Sequence, residues 1–169
     1  MPTELKGVGD MRKALRKFTP DLNKALNKEL GGMLKPIAQK SREYIPAQPM
    51  TNWGKNTQQK FPNFDYNAAR RGISYKTTQG RPNRSGFKSL AEIYNKNASG
   101  AIYETVGRKN PSGQFYENLQ RHSELLGTGK LRGRAMFRAW REDSGKTQKA
   151  VTNAFKRARD RFNGKGGYV

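Results

Sequence analysis

Residues 19–45 read TPDLNKALNKELGGMLKPIAQKSREYI. Thr19 carries the side chain of an N-cap, Pro20 suits the first helical position because its missing N–H would be unpaired there anyway, and Asp21 sets a negative charge in the first turn. Leu22, Leu26, Leu30, Met33, Leu34 and Ile37 then recur every three or four residues, on one face of a helix. Gly31, Gly32 and Pro36 break the pattern from within. Each glycine weakens a helix by about 1 kcal/mol relative to alanine, and proline removes a hydrogen bond and crowds the carbonyl four residues earlier. The stretch predicts an amphipathic N-terminal helix, kinked or split near Gly31-Gly32. Just upstream, DMRKALRKF (10–18) predicts one or two amphipathic turns with Met11, Leu15 and Phe18 on the same side.

Downstream the helical period is lost. Pro46, Pro49 and Pro62, with TNWGKNTQQK (51–60), predict a long polar loop over residues 46–71, punctuated by Trp53, Phe61, Phe64 and Tyr66. Loops of that length in compact domains are commonly functional, and these aromatics mark it as a docking loop for a neighbouring subunit. GISYKTT (72–78) and SGFKSLAEIYN (85–95) alternate apolar and polar residues around the turn-forming QGRPNR (79–84), which predicts a β-hairpin; SLAEIYN fits a helical turn equally well. PSGQFYENLQRHSELL (111–126) allows a short helix. In the last third, Met136, Phe137 and Trp140 mark one helix, and Val151, Ala154, Phe155, Ala158 and Phe162 follow the spacing of a second with one buried stripe. Gly164, Gly166 and Gly167 are read as its end. The expected architecture is α+β: the N-terminal helix, a small antiparallel sheet in the middle, and C-terminal helices packed on that sheet. It forms a single domain over 1–169, with flexible termini at 1–9 and 163–169.

The chain has 169 residues, 33% of them hydrophobic, and a formal net charge of +21, so a compact state works against its own repulsion unless a polyanion or an acidic partner offsets it. Eight Phe, seven Tyr and two Trp spread along the chain argue for a folded body all the same. With no cysteine and one histidine, His122, neither disulfides, thiolate metal sites nor an imidazole cluster can form. No cofactor is implied. No apolar run approaches the roughly 20 residues of a membrane span, and MPTELKGVGD (1–10) lacks the apolar core of a signal peptide. The expected setting is the cytosol, with no membrane partner.

Catalysis finds little to stand on. Of thirteen acidic residues only Glu142 and Asp143 adjoin, and neighbours on a helix diverge by about 100 degrees, so they read as solvated acids at a helix end. His122 reads as a surface histidine. GAIYETVG (100–107) superficially matches the paired Gly-Ile-Tyr and Tyr-Ile-Gly signature of a nuclease family, but its halves lie too close to form adjacent strands. Ala101, Ile102 and Val106 are read instead as packing on the sheet, with Gly100 and Gly107 turning the chain. GTGKLRG (127–133) lacks the glycine spacing of a phosphate loop. What remains is charge. Residues 130–165 hold twelve basic against three acidic side chains, a net of +9. Such a stripe suits salt-sensitive, sequence-independent contact with phosphates, without a motif for reading bases.

In order, the helix of 20–45, the middle segment NRSGFKSLAEIYNKNASGAIYETVGR (83–108) and the closing GRAMFRAWREDSGKTQKAVTNAFKRARDRFN (133–163) resemble the neck proteins of long-tailed bacteriophages. The family in question is the gene-product-ten-like one of HK97-type phages, especially versions from phages of actinobacteria. Ala101, Tyr103, Glu104 and Gly107 match its Ala-x-Tyr-x-Glu-x-x-Gly-like stretch, and AMFRAW (135–140) matches the start of its last helix only loosely. The resemblance implies a non-enzymatic virion component at the head-to-tail junction, made in the host cytoplasm. It would be one subunit of a homo-oligomeric ring that meets other neck proteins on the portal side and the tail tube or terminator on the other. Arg132, Arg134, Arg138, Arg141, Lys156, Arg157, Arg159 and Arg161 are then candidates for contact with DNA in the channel or with an acidic partner. Trp53, Phe61, Phe64, Tyr66 and Glu104 are candidates for contact between subunits. A nucleic-acid-binding protein of ribosomal or nucleoid type is the alternative, and an enzyme is third.

Overall fold

The computed structural model describes residues 7–50, 53, 62–78, 80–81, 84, 89, 91–128, 131–143 and 145–165, residues 131 and 165 as backbone alone. Phe61, Phe87, Leu90, Lys130, and the terminal residues 1–6 and 166–169 lie outside them. The elements run α1 (Val8–Phe18), α2 (Pro20–Glu43), α3 (Tyr66–Gly72), β1 (Ile73–Lys76), β2 (Glu92–Asn95), α4 (Ala98–Thr105), α5 (Gln114–His122), β3 (Leu126–Thr128), β4 (Leu131–Gly133), α6 (Met136–Glu142) and α7 (Lys146–Lys165). The α+β class holds. In place of one central sheet there are two antiparallel two-stranded ladders, β1 with β2 and β3 with β4.

α2 is not split: it runs without interruption from Pro20 to Glu43 with Pro36 inside it. The two glycines and the proline together cost about 5 kcal/mol. Leu26 and Leu30 before the glycines, and Leu34 and Ile37 after them, are all buried, at about 1.5–3 kcal/mol each, so burial outweighs propensity. Other boundaries also differ from those read in the sequence. Val8 and Gly9 are already helical and Val8 is buried, because Gly7, in the left-handed region at φ 76°, starts α1. α7 continues through Gly164 to Lys165. The loop expected over 46–71 ends early, since Asp65 caps α3 by accepting the Ala68 N–H.

The residues gather into two compact units interleaved in sequence: Met1–Lys35, Lys76–Glu92 and Gly145–Val169 in the first, Pro36–Tyr75 and Ile93–Ser144 in the second. In the first unit α1 packs on α7. Val8, Leu15, Leu26, Leu30, Ala154, Phe155 and Ala158 form its core, with Met11, Val151 and Phe162 against them. The stripe of α7 is therefore buried by helices, not by a sheet. Arg12 is buried beside it. Its guanidinium lies 5.3 Å from the Phe155 ring centre and donates to Asn27 Oδ1 at 3.2 Å and to the Thr77 carbonyl at 2.5 Å; burial, then Arg16, lowers its pKa. Phe18, expected on the apolar side, is 66% exposed.

The second unit is built around aromatic rings. Trp53 meets Phe64 at 4.9 Å and Phe115 edge-on at 5.1 Å, its indole N–H donates to the Pro62 carbonyl, and Ala69, Ile73, Tyr103 and Leu119 complete the cluster. β3 and β4 pair in the register Leu126 to Gly133 and Thr128 to Leu131, a ladder the sequence reading took for a glycine loop, and it is on this ladder that α6 packs. Asn95 and Asn97 start α4. The Asn97 side chain accepts the Gly100 N–H and the Ser99 hydroxyl, while Asn95 donates to the Ala69 carbonyl. Gly100 is thus a helical residue, not a turn, and its missing Cβ leaves room for the Asn95 amide.

Phe155→Ala is expected to cost about 3–5 kcal/mol, while Phe18→Ser stays within about 0.5 kcal/mol of the parent, both read from urea denaturation followed by circular dichroism. A stable Phe155→Ala protein would mean that the core of the first unit is misplaced.

Candidate functional site

The most constrained chemistry in the chain is a pair of buried charges in the second unit. Glu104, near the end of α4, is 1% exposed, and Arg134, just before α6, is 2% exposed. α6 begins with no cap from its own side chains. The Glu104 carboxylate does that work from 30 residues away. It accepts the N–H groups of Arg134 at 3.2 Å, Ala135 at 2.7 Å, Met136 at 3.1 Å and Phe137 at 3.0 Å, donors a helix start otherwise leaves unpaired. Arg108 approaches the same carboxylate at 3.9 Å.

Arg134 performs the opposite service. Its guanidinium donates to the Tyr103 and Val106 carbonyls at the end of α4 and to the Ser123 carbonyl at the end of α5, each at 2.9 Å, with the Gln120 side chain at 3.4 Å. A cation at two helix C-termini complements their dipoles. Burial lowers the Arg134 pKa. Gly133 fits because a Cβ there would overlap the Glu104 carboxylate, and Gly107 turns the chain after α4 at φ 86°.

These positions correct several readings of the sequence. Glu104, a candidate for contact between subunits, is buried and lies 3.9 Å from Arg108 of its own chain, and Arg134, a candidate for contact with DNA, is buried as well. Trp53, 5% exposed, belongs to the aromatic core, and the half-buried Phe64 and Tyr66 pack against it. Phe61 lies outside the described residues. The expected basic stripe is divided: Arg132, Arg134, Arg138 and Arg141 belong to the second unit, and Lys156, Arg157, Arg159 and Arg161 to α7 in the first. Arg132 is half-buried in β4.

The α7 residues are all exposed, as are Lys146 and Lys149. Lys149 and Lys156, two turns apart, lie opposite the buried Ala154–Phe155–Ala158 stripe. Arg157 pairs with Glu29, and Arg159 with Asp160 at 2.9 Å; among the described residues Lys149, Lys156 and Arg161 have no acidic partner. Lys149 and Lys156 leave two unpaired cations on this face, while Arg161 lies about 140 degrees round the helix from Lys156.

Glu142, read as a solvated acid, is held instead. Lys40 Nζ lies 2.6 Å from it, the Tyr44 hydroxyl donates to it, and Arg138 Nε reaches it at 3.3 Å while stacking 4.3 Å from the Tyr44 ring centre. The hydrogen bonds from Lys40 and Tyr44, then that from Arg138, pull its pKa down to about 2. No local pattern announces this cluster, since Tyr44 and Glu142 are 98 residues apart. Among the described residues no group of three or more His, Asp or Glu side chains could hold a metal ion. No protein-family model, curated protein or solved structure matches the chain.

Glu104→Ala leaves the α6 donors and the buried Arg134 uncompensated, and is expected to cost about 3–5 kcal/mol by chemical denaturation. Gly133→Ala should destabilise through the same carboxylate. For Glu142, whose folded pKa is depressed, the stabilising contribution is present above the unfolded value of 4.5 and lost as pH falls through about 2. A carbon-detected NMR titration should place its midpoint near 2 in the parent and closer to 4.5 in Lys40→Met and Tyr44→Phe.

Proposed function

We propose that the chain is a structural, non-enzymatic subunit of the neck of a long-tailed phage, one copy of a homo-oligomeric ring that joins the DNA-filled head to the tail. The resemblance of its three segments to neck proteins supports the reading, and the observation that carries it is the set of exposed cations on α7, among them Lys149, Lys156 and Arg161, which have no acidic partner among the described residues. The first unit contains 19 basic and six acidic residues and the second 15 and seven, net charges of +13 and +8, so the polyanion contact is assigned to the first. A surface of that sign beside packaged DNA contacts phosphates without reading sequence, and a closed ring holds many copies of it around one duplex. In this reading the protein leaves the host cytoplasm as part of the virion. No helix among the described residues is long and apolar enough to cross a membrane.

The same cations support a second reading, a sequence-independent nucleic-acid-binding protein of ribosomal or nucleoid type. Oligomeric state separates the two. Light scattering and negative-stain imaging should find closed rings, and imaging of whole particles should place them between portal and tail tube. A protein that stays monomeric at every concentration, yet binds duplex DNA tightly, favours the second. In either case DNA affinity should fall steeply with salt and be indifferent to sequence. Lys156→Gln and Arg161→Gln should each reduce the slope of log affinity against log salt by about 1, measured by fluorescence anisotropy.

A further inference from the structure

α2 is one helix that serves two cores. Leu26 and Leu30 are buried in the core of the first unit with Leu22 and Met33 packed against it, whereas Ala38, followed by Tyr44 and Ile45, belongs to the core of the second. The change of core falls between Met33 and Ala38, and the division of the chain into units passes between Lys35 and Pro36. Gly32 and Pro36 stand at that place. Pro36 has no N–H to donate, and the carbonyl it fails to meet, four residues back, is that of Gly32. Two weaknesses of a helix therefore coincide in a single turn.

Packing asks for neither residue. A Cβ on Gly32 would meet nothing within 4 Å, and Pro36 is exposed. Gly100 and Gly133 make room for the Asn95 amide and the Glu104 carboxylate; Gly32 has no such neighbour, and what it changes is the freedom of the backbone. The other places where the chain passes from one unit to the other are pliable too. β1 and β2 cross together, at Tyr75–Lys76 and Glu92–Ile93, as a two-stranded ribbon, the form of sheet that twists most, and α7 is entered through Gly145 at φ 76°, with open space where its Cβ would stand. Leu34 and Ile37, both 4% exposed, hold the turn of α2 closed at rest. We propose that residues 32–36 are a joint within α2, so that the helix opens and bends as two halves: Pro20–Leu30 with α1 and α7, and Ala38–Glu43 with α4 and α5. The joint uncouples the body that carries the α7 cations from the one organised by Glu104 and Arg134, and it holds whether or not the chain is a neck subunit.

Amide hydrogen exchange of the full-length protein, followed by NMR at low concentrations of denaturant, reads the two halves separately. Leu34, Lys35 and Ile37 should exchange about tenfold or more faster than Leu30 and Ser41. The amides of residues 24–30 should share the protection and denaturant dependence of Phe155 and Ala158, and those of Ala38–Glu43 the protection and dependence of Tyr103 and Leu119. Phe155→Leu should speed exchange over residues 24–30 and leave Ala38–Glu43 within about twofold of the parent. Gly32→Ala, which favours the helix and fills open space, should slow Leu34, Lys35 and Ile37 by about fivefold, and Pro36→Ala by more. With both substitutions in place, the effect of Phe155→Leu should pass on into Ala38–Glu43. The proposal is overturned if α2 exchanges as one unit from end to end, or if Phe155→Leu reaches Ala38–Glu43 in the parent. Unchanged exchange at Leu34, Lys35 and Ile37 in both Gly32→Ala and Pro36→Ala would overturn it equally.

Discussion

Two opposite charges, neither of them on the surface, organise the second unit. Glu104 supplies the negative end that α6 lacks, and Arg134 supplies the positive end for both α4 and α5. A buried ion is costly unless its bonding capacity is filled, and here it is filled by backbone groups that would themselves be stranded without it. The two residues therefore answer three helix ends at once. That arrangement fixes where α6 starts on the β3–β4 ladder, and through α6 it sets Arg138 and Glu142 beside Tyr44.

The local features of the chain were legible because they depend on near neighbours. The burial of Leu26, Leu30, Leu34 and Ile37, and the α7 stripe of Ala154, Phe155 and Ala158, could be read from spacing alone. At Glu92–Asn95 alternation and a helical turn fitted equally well, and the structure has the strand. What escaped was whatever depends on distant partners. In a chain this basic, an isolated glutamate and one more arginine look like surface, and nothing near Glu104 in sequence points to the backbone of residues 134–137. Glu142 escaped for the same reason, with Lys40 on α2 and Tyr44 just after it, about 100 residues earlier. The aromatics of the 46–71 loop were read as docking residues because proline and glycine hid any period. Trp53, Phe64 and Tyr66 turn inward simply because each ring has a large apolar area to remove from water.

Charge is divided along the same lines. The second unit uses several of its cations internally: Arg134 on helix ends, Arg42 on the Ile73 carbonyl, Arg70 on the Arg42 carbonyl, and Arg138 on Tyr44 and Glu142. The first unit buries Arg12 and leaves most of its other cations in solvent. A net charge of +21 is thus not one uniform field. Part of it is architecture, and the remainder is surface available to an anion.

The interleaving of the two units also bears on how the chain is made. The first unit is completed only by α7, the last helix in sequence, whereas every segment of the second unit has been synthesised by Ser144. Until α7 emerges, Leu15, Leu26 and Leu30 have no Phe155 or Ala158 to cover them. The apolar face of α1 and α2 therefore stays uncovered until α7, much later in the chain, has been made, and it is the arrival of α7 that lets the first unit close.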